Sequence, residues 1–274
     1  MAETNKNNRY TINSILRANN ILQLLAKNPT GLRIGELAKR LDLDRTTVFR
    51  IMVTLEQCAF AERIGEGKAY KLGVGIFEVG SAYIRSTDIH SIARPVMIDL
   101  SHQVREGVHW AILSGKNAVC IDKIESPRSL GTTSKIGRAV ALNAGSVGKV
   151  LLAFQPDETR ENLLGSMELP RFTHRTITST DNMRSEIKKI RRQGYCISLG
   201  EGEIDMACIA APIFDHTGRI AAGISVGGHI QRFEDSENAR NMTAQLIDAA
   251  RQISEKLGCT KVPEFKPALA RTGP

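Results

Sequence analysis

Four polar residues within six positions have the types and spacing of a DNA-contacting surface. They are Arg45, Thr46, Thr47 and Arg50. An arginine can donate two hydrogen bonds to guanine or bind a phosphate, and a threonine can bond a phosphate or contact a thymine methyl. The apolar residues 48, 51, 52 and 55 form the opposite stripe of the same helix. The segment therefore predicts a DNA-binding helix that begins at Arg45, behind the N-cap Asp44.

The neighbouring segments predict the elements that hold this helix in place. Residues 34–41 form a second amphipathic helix, and Asp42 to Asp44 make the turn between the two. A helix over about 13–27 precedes them, and its apolar residues, Ile15 and Leu16 included, are expected to cover the other side of the pair. An ordinary helical hairpin with a solvated charged face is the alternative interpretation of residues 32–58.

The segment behind the helix pair weakens that alternative. Residues 59–73 predict two short strands around a Gly65-Glu66-Gly67 tip, which is the pattern of a wing. Residues 1–72 carry twelve basic and seven acidic side chains, a net charge of +5 out of +8 for the whole chain. This basic excess suits a phosphate backbone. The candidate DNA contacts are Arg17, Arg33, Arg45, Thr46, Thr47, Arg50, Arg63 and Lys68.

Composition limits the class of protein. With 274 residues, of which 42% are apolar, the chain is long enough for two domains with cores. It lacks an apolar stretch that could span a membrane and the apolar region of a secretory signal, so we expect a cytoplasmic protein with no membrane partner. Residues 1–10 are expected to be a disordered tail. Five scattered cysteines without a Cys-x-x-Cys pair predict neither disulfides nor a zinc site, and we expect no metal and no cofactor.

Three weaker motifs do not support a different chemistry. His102 and Glu106 could share a metal on one helix face, but the sequence shows no second cluster of ligands that would complete such a site. Residues 143–150 lack the first glycine and the final Ser or Thr of a phosphate-binding loop, and the glycines of 73–80 have the wrong spacing for a dinucleotide site.

The second half of the chain predicts an α+β domain with an antiparallel sheet flanked by helices. A linker helix is expected over 74–86, and further helices over 89–105, 145–154, from Pro156, over 180–192 and over 234–257. Strands are expected over 108–113, 118–124, 195–199, 208–214 and 220–226, and most of them are joined as hairpins. A sheet covered on one face can hold a small-molecule pocket.

In order and spacing, motifs from both halves resemble the IclR family of bacterial transcription regulators. The first half contains SILRA at 14–18, IGELA at 34–38, TTVFR at 46–50 and YKLG at 70–73. The second half contains CIDKIES at 120–126, GKVLLA at 148–153, RRQGY at 191–195 and IAAPIFD at 209–215. The resemblance covers roughly residues 11–258.

This resemblance implies a winged helix-turn-helix, a linker helix and a GAF-like effector domain, with subunits that form homodimers or homotetramers. It also implies an effector pocket lined by Asn143, Ala144, Gly145, Ser146, Ser198, Met206, Cys208, Ser225 and Gly227. Met206 and Cys208 could instead be plain strand core. The family usually has glycine at position 42 and more often has consecutive acids at 198–202, so this chain departs from it at both places.

We therefore expect a transcriptional regulator that binds double-stranded operator DNA, as a repressor or an activator, under the control of a small organic, aromatic or sugar acid. The expected domains are 11–73 for DNA binding, 74–88 as linker and 89–258 for effector binding and oligomerisation, with a tail over 259–274. An enzyme that uses Cys208 or a Ser-His pair is the main alternative. It lacks a nucleophile with a base at recognisable spacing. A protein–protein scaffold would leave the basic first quarter unexplained.

Overall fold

The computed structural model describes residues 11–65, 69–85, 88–128, 135–260, 262, 263 and 265. The chain divides into two compact units, residues 1–87 and 88–274. The expected tail over 1–10, most of the wing tip and Lys68 lie outside the described residues.

The first unit contains the predicted helix-turn-helix and the predicted hairpin. Its elements are α1 (Asn13–Ala26), α2 (Ile34–Leu41), α3 (Arg45–Gln57), β1 (Ala61–Ile64), β2 (Ala69–Leu72) and α4 (Val74–Arg85). Strands β1 and β2 pair antiparallel, and Leu32 adds a bridge to Tyr70. The bounds of the helices lie within about two residues of those predicted.

The turn between α2 and α3 depends on two aspartates. Asp42 ends α2 in a left-handed conformation with φ of 51°, which aspartate tolerates better than most residues. The Asp44 side chain accepts a hydrogen bond from the Thr47 backbone N–H at 2.7 Å and so caps α3. The departure from glycine at position 42 therefore leaves the turn intact.

The core of the first unit begins one turn later along α1 than the sequence predicts. Ile21 and Leu25 of α1 are buried, together with Leu37, Val48 and Met52 of the helix pair. Ile15 and Leu16 are 63% and 50% exposed, so the expectation that they cover the pair is wrong. The first core contact of α1 is Ala18, whereas Ile15 lines an open groove beside α3.

The second unit is a six-stranded sheet with helices on both faces. Its elements are α5 (Asp88–Val104), β3 (Gly107–Ser114), β4 (Asn117–Ile124), β5 (Ala139–Ala141), α6 (Ser146–Ala153), α7 (Asp157–Ser166), α8 (Thr180–Gln193), β6 (Cys196–Leu199), β7 (Met206–Phe214), β8 (Ile220–His229), α9 (Gln231–Glu234) and α10 (Ser236–Lys256). The strand order is β5-β4-β3-β8-β7-β6, and every pairing is antiparallel.

The two faces of this sheet have separate cores. Helices α5 and α10 cover one face, and the core between them and the sheet includes Trp110, Ile224 and Leu246. Helices α6 and α8 cover the other face over residues such as Leu151 and Ile187. A bulge between Trp110 and Ala111 shifts the register of β3 on β4. The predicted α+β architecture is confirmed.

Several predicted bounds in the second unit need correction. Strand β5 was not predicted, because three residues without a clear alternation form a strand here only by pairing with β4. The expected helix over 234–257 begins two residues later, as α10, because Asp235 leaves helical geometry and caps it, and the short helix α9 before it was not predicted. Pro156 is the N-cap of α7 and lies just outside its first turn. None of the described helices has both the length and the apolar character needed to cross a membrane.

Candidate nucleic-acid interface and ligand cavity

The start of α3 presents the predicted DNA-contacting side chains to solvent. Arg45, Thr46 and Arg50 are exposed, and Thr47 is half-buried with its backbone N–H bound to Asp44. Arg45 also lies against Gly35 of α2, where its guanidinium would be 3.5 Å from a Cβ at that glycine. Helix α2 therefore supports Arg45 on one side and leaves its other side open.

Two more predicted contacts lie on neighbouring elements. Arg17 of α1 lines a groove of about 760 Å³ together with Thr47 and Arg50 of α3. Arg33 is exposed at the N-cap of α2, where its backbone N–H donates to Glu36. Within the part of the chain that the structure describes, neither these two arginines nor Arg45 and Arg50 have a carboxylate within ion-pair distance. Their charge is available to an external anion.

The two described basic side chains of the wing, Arg63 and Lys71, are already paired with carboxylates. The Arg63 guanidinium lies 2.9 Å from the Glu56 carboxylate of α3 and over the Tyr70 ring, and Glu56 raises the pKa of Arg63. Lys71 is paired with Glu62 at 2.8 Å. Arg63 must therefore leave Glu56, or share it, before it can bind a phosphate.

A cavity of about 210 Å³ lies between the sheet and the start of α6. Its walls come from strands β3 to β8, the first turn of α6 and the loops around 172 and 202. Eight of the nine predicted effector contacts line it: Ala144, Gly145, Ser146, Ser198, Met206, Cys208, Ser225 and Gly227. Sequence-distant positions thus meet in one small space, whose size suits a small organic molecule.

The ninth predicted residue, Asn143, supports the cavity from behind. Its Nδ2 donates to the backbone carbonyls of Pro170 and Ile177 at 3.0 and 2.8 Å. Its Oδ1 is buried and has no hydrogen-bond partner among the described residues. Asn143 does not line the cavity, and its amide instead ties the loop before α6 to the loop over 170–177.

The start of α6 is the most polar part of the wall. Ser146 is fully buried, and its hydroxyl has no hydrogen-bond partner within the described part of the chain. The Ser146 backbone N–H donates to the Cys208 sulfur at 3.5 Å. Free N–H groups and the dipole of a helix N-terminus favour a negative charge, so this end of the cavity suits a carboxylate or another oxyanion.

Sequence reasoning missed several lining residues, of which His109 is the most informative. Burial, together with the charge of Lys123, lowers the pKa of His109 to about 4. His109 is therefore neutral near pH 7, and it lies opposite Ser225 in the sheet. The cavity residues that were not predicted also include Ala111, Cys120, Arg138, Phe172 and Glu203. The alternation of β3 could have indicated His109 and Ala111, whereas no sequence pattern indicates Phe172.

An ion pair lies beside the cavity at Glu201, inside the segment that departs from the family pattern. The Lys149 ammonium of α6 is fully buried and lies 2.6 and 2.7 Å from the two carboxylate oxygens of Glu201. Burial alone would lower the pKa of Lys149, but the Cys196 sulfur and the Glu201 carboxylate raise it above its ordinary value. Lys149 is therefore held as a cation under the cavity.

Two threonines complete the support of the same loop. The hydroxyl of Thr173 donates to the Gly200 carbonyl at 2.6 Å, and that of Thr176 donates to the Glu201 carbonyl at 2.6 Å. Gly202 approaches the Ala144 carbonyl so closely that a Cβ would lie 2.5 Å from the oxygen. The loops over 143–146, 170–177 and 200–202 therefore form one connected wall.

The second unit offers no competing metal centre among the described residues, where no group of three potential ligands is found. His102 is exposed, and the buried Glu106 binds the guanidinium of Arg232 through both of its oxygens. Glu106 also lies 3.7 Å from Arg128. The Glu106 carboxylate, which the sequence suggested as a second metal ligand beside His102, therefore binds arginine instead.

Comparison with known proteins decides the family. Residues 14–65 match the family described as IclR helix-turn-helix domain, and residues 81–255 match Bacterial transcriptional regulator IclR C-terminal. The chain belongs to the IclR family. It is 33% identical to the HTH-type transcriptional regulator KdgR of Escherichia coli, over 92% of this chain and 95% of that protein.

Solved structures of IclR regulators have the same fold. The Thermotoga maritima IclR structure matches with a TM-score of 0.73 and 33% identity, covering 90% of this chain and 100% of that one. An IclR homologue from Microbacterium hydrocarbonoxydans, complexed with 4-hydroxybenzoate, matches with a TM-score of 0.77 and 24% identity, covering 89% and 98%. This chain is therefore an HTH-type transcriptional regulator of the IclR family, and the enzyme alternative is unsupported.

Proposed function

We propose that this IclR regulator binds operator DNA through the exposed start of α3. When a small acid occupies the cavity, the affinity of the protein for that DNA falls or rises. Two sites among the described residues carry the proposal. The arginines at the start of α3 have no ion-pair partner there, and the buried Ser146 hydroxyl in the cavity has no hydrogen-bond partner there. Arg45, Thr46, Thr47 and Arg50 contact bases and phosphates, with Arg17 and Arg33 beside them and Arg63 and Lys68 on the wing.

The effector we propose is an organic, aromatic or sugar acid. Its carboxylate binds the N-terminus of α6 at Gly145 and Ser146, and its body contacts Met206 and Ser225. Such a ligand controls DNA binding only through different affinities for the DNA-competent and incompetent arrangements of the protein. Helix α4, which follows the wing in sequence, is the proposed connector.

We propose that the regulator works in the cytoplasm as a homodimer or a homotetramer. In a dimer, two copies of α3 can enter successive major grooves about 34–36 Å apart. Apolar side chains on α4 support such pairing, since Val74, Phe77 and Val79 are all exposed. The predicted division of labour, with DNA binding over 11–73 and effector binding with oligomerisation over 89–258, is part of the same proposal.

The test of DNA binding is a titration of Arg50→Ala. A duplex that the wild-type protein selects from a random-sequence library serves as the probe, in fluorescence anisotropy at several salt concentrations. We expect an affinity loss of about tenfold to a hundredfold, because a good bidentate base contact contributes about 1–3 kcal/mol. The matched control is Arg192→Ala, an exposed arginine of α8 outside the proposed surface. Equal affinities of wild type and Arg50→Ala would contradict the assignment.

A further inference from the structure

Cys208 lines the cavity, its sulfur accepts a backbone N–H contact, and small neighbours surround it. On β7 it pairs with Ser198 of β6 on one side and with Gly227 of β8, which has no side chain, on the other. A Cβ at Gly145 would lie 3.7 Å from the Cys208 sulfur, so glycine leaves room there as well. A small molecule inside the cavity therefore reaches this sulfur without displacing a bulky group.

The groups beside the sulfur are arranged to stabilise an oxyanion. The Ser146 N–H, at the N-terminus of α6, points at the sulfur from 3.5 Å. The Ser146 hydroxyl is buried beside it and has no partner among the described residues. A buried hydroxyl without a partner is costly in a folded protein unless a ligand satisfies it. Preorganised donors of this kind stabilise the negative oxygen that forms when a nucleophile adds to a carbonyl group.

We propose that Cys208 is a reversible covalent attachment site for a small aldehyde, so that the regulator senses a carbonyl compound as well as an acid. This inference rests on the proposed function of the cavity as the effector site. The Cys208 sulfur forms a bond to the aldehyde carbon, the carbon–oxygen π bond breaks, and its electron pair moves to the oxygen. That oxygen takes up the proton that the thiol has lost, and the product is a hemithioacetal. The step consumes no oxidant and no further reactant.

The same geometry limits the aldehyde. The adduct oxygen lies toward the Ser146 donors, and the rest of the molecule must fit about 210 Å³ beside Met206 and Phe172. Arg138 and Glu203 add one cationic and one anionic side chain to the lining, so an uncharged short chain with one or two hydroxyl groups suits the cavity. Glycolaldehyde is the smallest probe with these properties.

The experiment measures protection of individual cysteines in the full-length protein. Iodoacetamide alkylation of each cysteine is followed by peptide mass spectrometry, with glycolaldehyde or with ethylene glycol, which lacks the carbonyl. Cys58 of the first unit is exposed and provides the internal control. We expect glycolaldehyde to protect Cys208 about tenfold better than Cys58, because the Ser146 hydroxyl adds about one hydrogen bond to the neutral adduct. Ethylene glycol is expected to protect neither thiol.

Two variants distinguish covalent addition at Cys208 from simple occupation of the cavity. Ser146→Ala keeps the thiol but removes the hydroxyl donor, and we expect its Cys208 to fall to the protection level of Cys58. Cys208→Ser is expected to lose any rise in melting temperature that glycolaldehyde causes in the wild type. The proposal is overturned if glycolaldehyde protects both cysteines equally, if Ser146→Ala behaves as wild type, or if iodoacetamide never modifies Cys208.

The failure of this inference is distinguishable from failure of the proposed function. If simple carboxylic acids raise the melting temperature of the wild type and change its duplex affinity, while glycolaldehyde protects no thiol selectively, only the covalent step is wrong. If no acid does either, the effector role of the cavity is wrong as well.

Discussion

The DNA-contacting surface and the cavity use charge in opposite ways. Arg45 and Arg50 lie five residues apart on one exposed helix, and no carboxylate pairs with them within the described ranges. Lys149, which lies beneath the cavity, is fully buried and paired with Glu201 from 52 residues away. An exposed cation is available to an external partner, whereas a buried one organises the protein around it.

The largest effect on the cavity side of this comparison is expected from Lys149→Met, which lowers the stability of the second unit. The change leaves the largely enclosed Glu201 carboxylate, 11% exposed, without its partner, and we expect a loss of about 3 kcal/mol in the free energy of unfolding of the second unit. Trp110 is the only tryptophan of the chain and is buried in that unit, so its fluorescence follows denaturant unfolding.

The matched control for Lys149→Met is the double variant Lys149→Met/Glu201→Leu. It removes both charges, and we expect it to regain most of the lost stability. If the single variant unfolds like wild type, the pair does not organise the cavity wall.

The pH dependence of His109 sharpens the comparison further. The pKa of His109 is about 4 in the folded protein against 6.5 ordinarily, so the unfolded chain binds more protons between these values. Stability contributed by the neutral His109 is therefore present above pH 6.5 and lost as the pH falls toward 4. At pH 5 we expect a cost of about 2 kcal/mol relative to pH 7.

This cost is measured by comparing wild type with His109→Gln in denaturant titrations at pH 7 and pH 5. The glutamine variant lacks the ionisation, so its stability is expected to decline less over this interval. Identical declines in the two proteins would show that His109 is not held neutral by its surroundings.

The smallest expected effect concerns the wing of the DNA-binding unit. Glu56→Gln removes the carboxylate that pairs with Arg63, and this exposed pair stabilises the fold very little. We expect almost unchanged stability and a few-fold tighter, more salt-dependent duplex binding, because about one more phosphate contact becomes available. Anisotropy titrations at two salt concentrations measure this. Weaker binding by Glu56→Gln would mean that the Glu56 pairing positions Arg63 for DNA.

The first unit was largely predictable because its signals are local. The apolar spacing of α2 and α3 and the capping of Thr47 by Asp44 operate over a few residues, so their bounds follow from the sequence. Ile15 and Leu16 were assigned to the core wrongly, since helical periodicity does not reveal which turns of a helix are buried in the folded unit. Pairing of Arg63 with Glu56 across two elements was likewise beyond sequence patterns.

The cavity was predictable only through the resemblance to a family. Periodicity indicates strands, but it does not show that Ser146, Ser198 and Ser225 line one cavity. That depends on the strand order and on where α6 packs on the sheet. Phe172 comes from an irregular loop whose position depends on hydrogen bonds from Asn143 and to Thr176. Such contacts over many residues leave no periodic signal.

The most direct test of the account asks whether the cavity controls the DNA-binding surface. A carboxylic acid is first chosen by its effect on the melting temperature of the full-length protein. Duplex affinity is then measured with and without that acid for wild type, for Val140→Phe, which fills the cavity from β5, and for the exposed control Ala139→Phe on the same strand.

We expect the acid to change the duplex affinity of wild type and of Ala139→Phe by about fivefold or more. Without the acid, Val140→Phe is expected to bind the duplex with wild-type affinity. Adding the acid is expected to leave the duplex affinity of Val140→Phe unchanged. An acid effect of equal size in all three proteins, or none in wild type despite a raised melting temperature, would contradict the account.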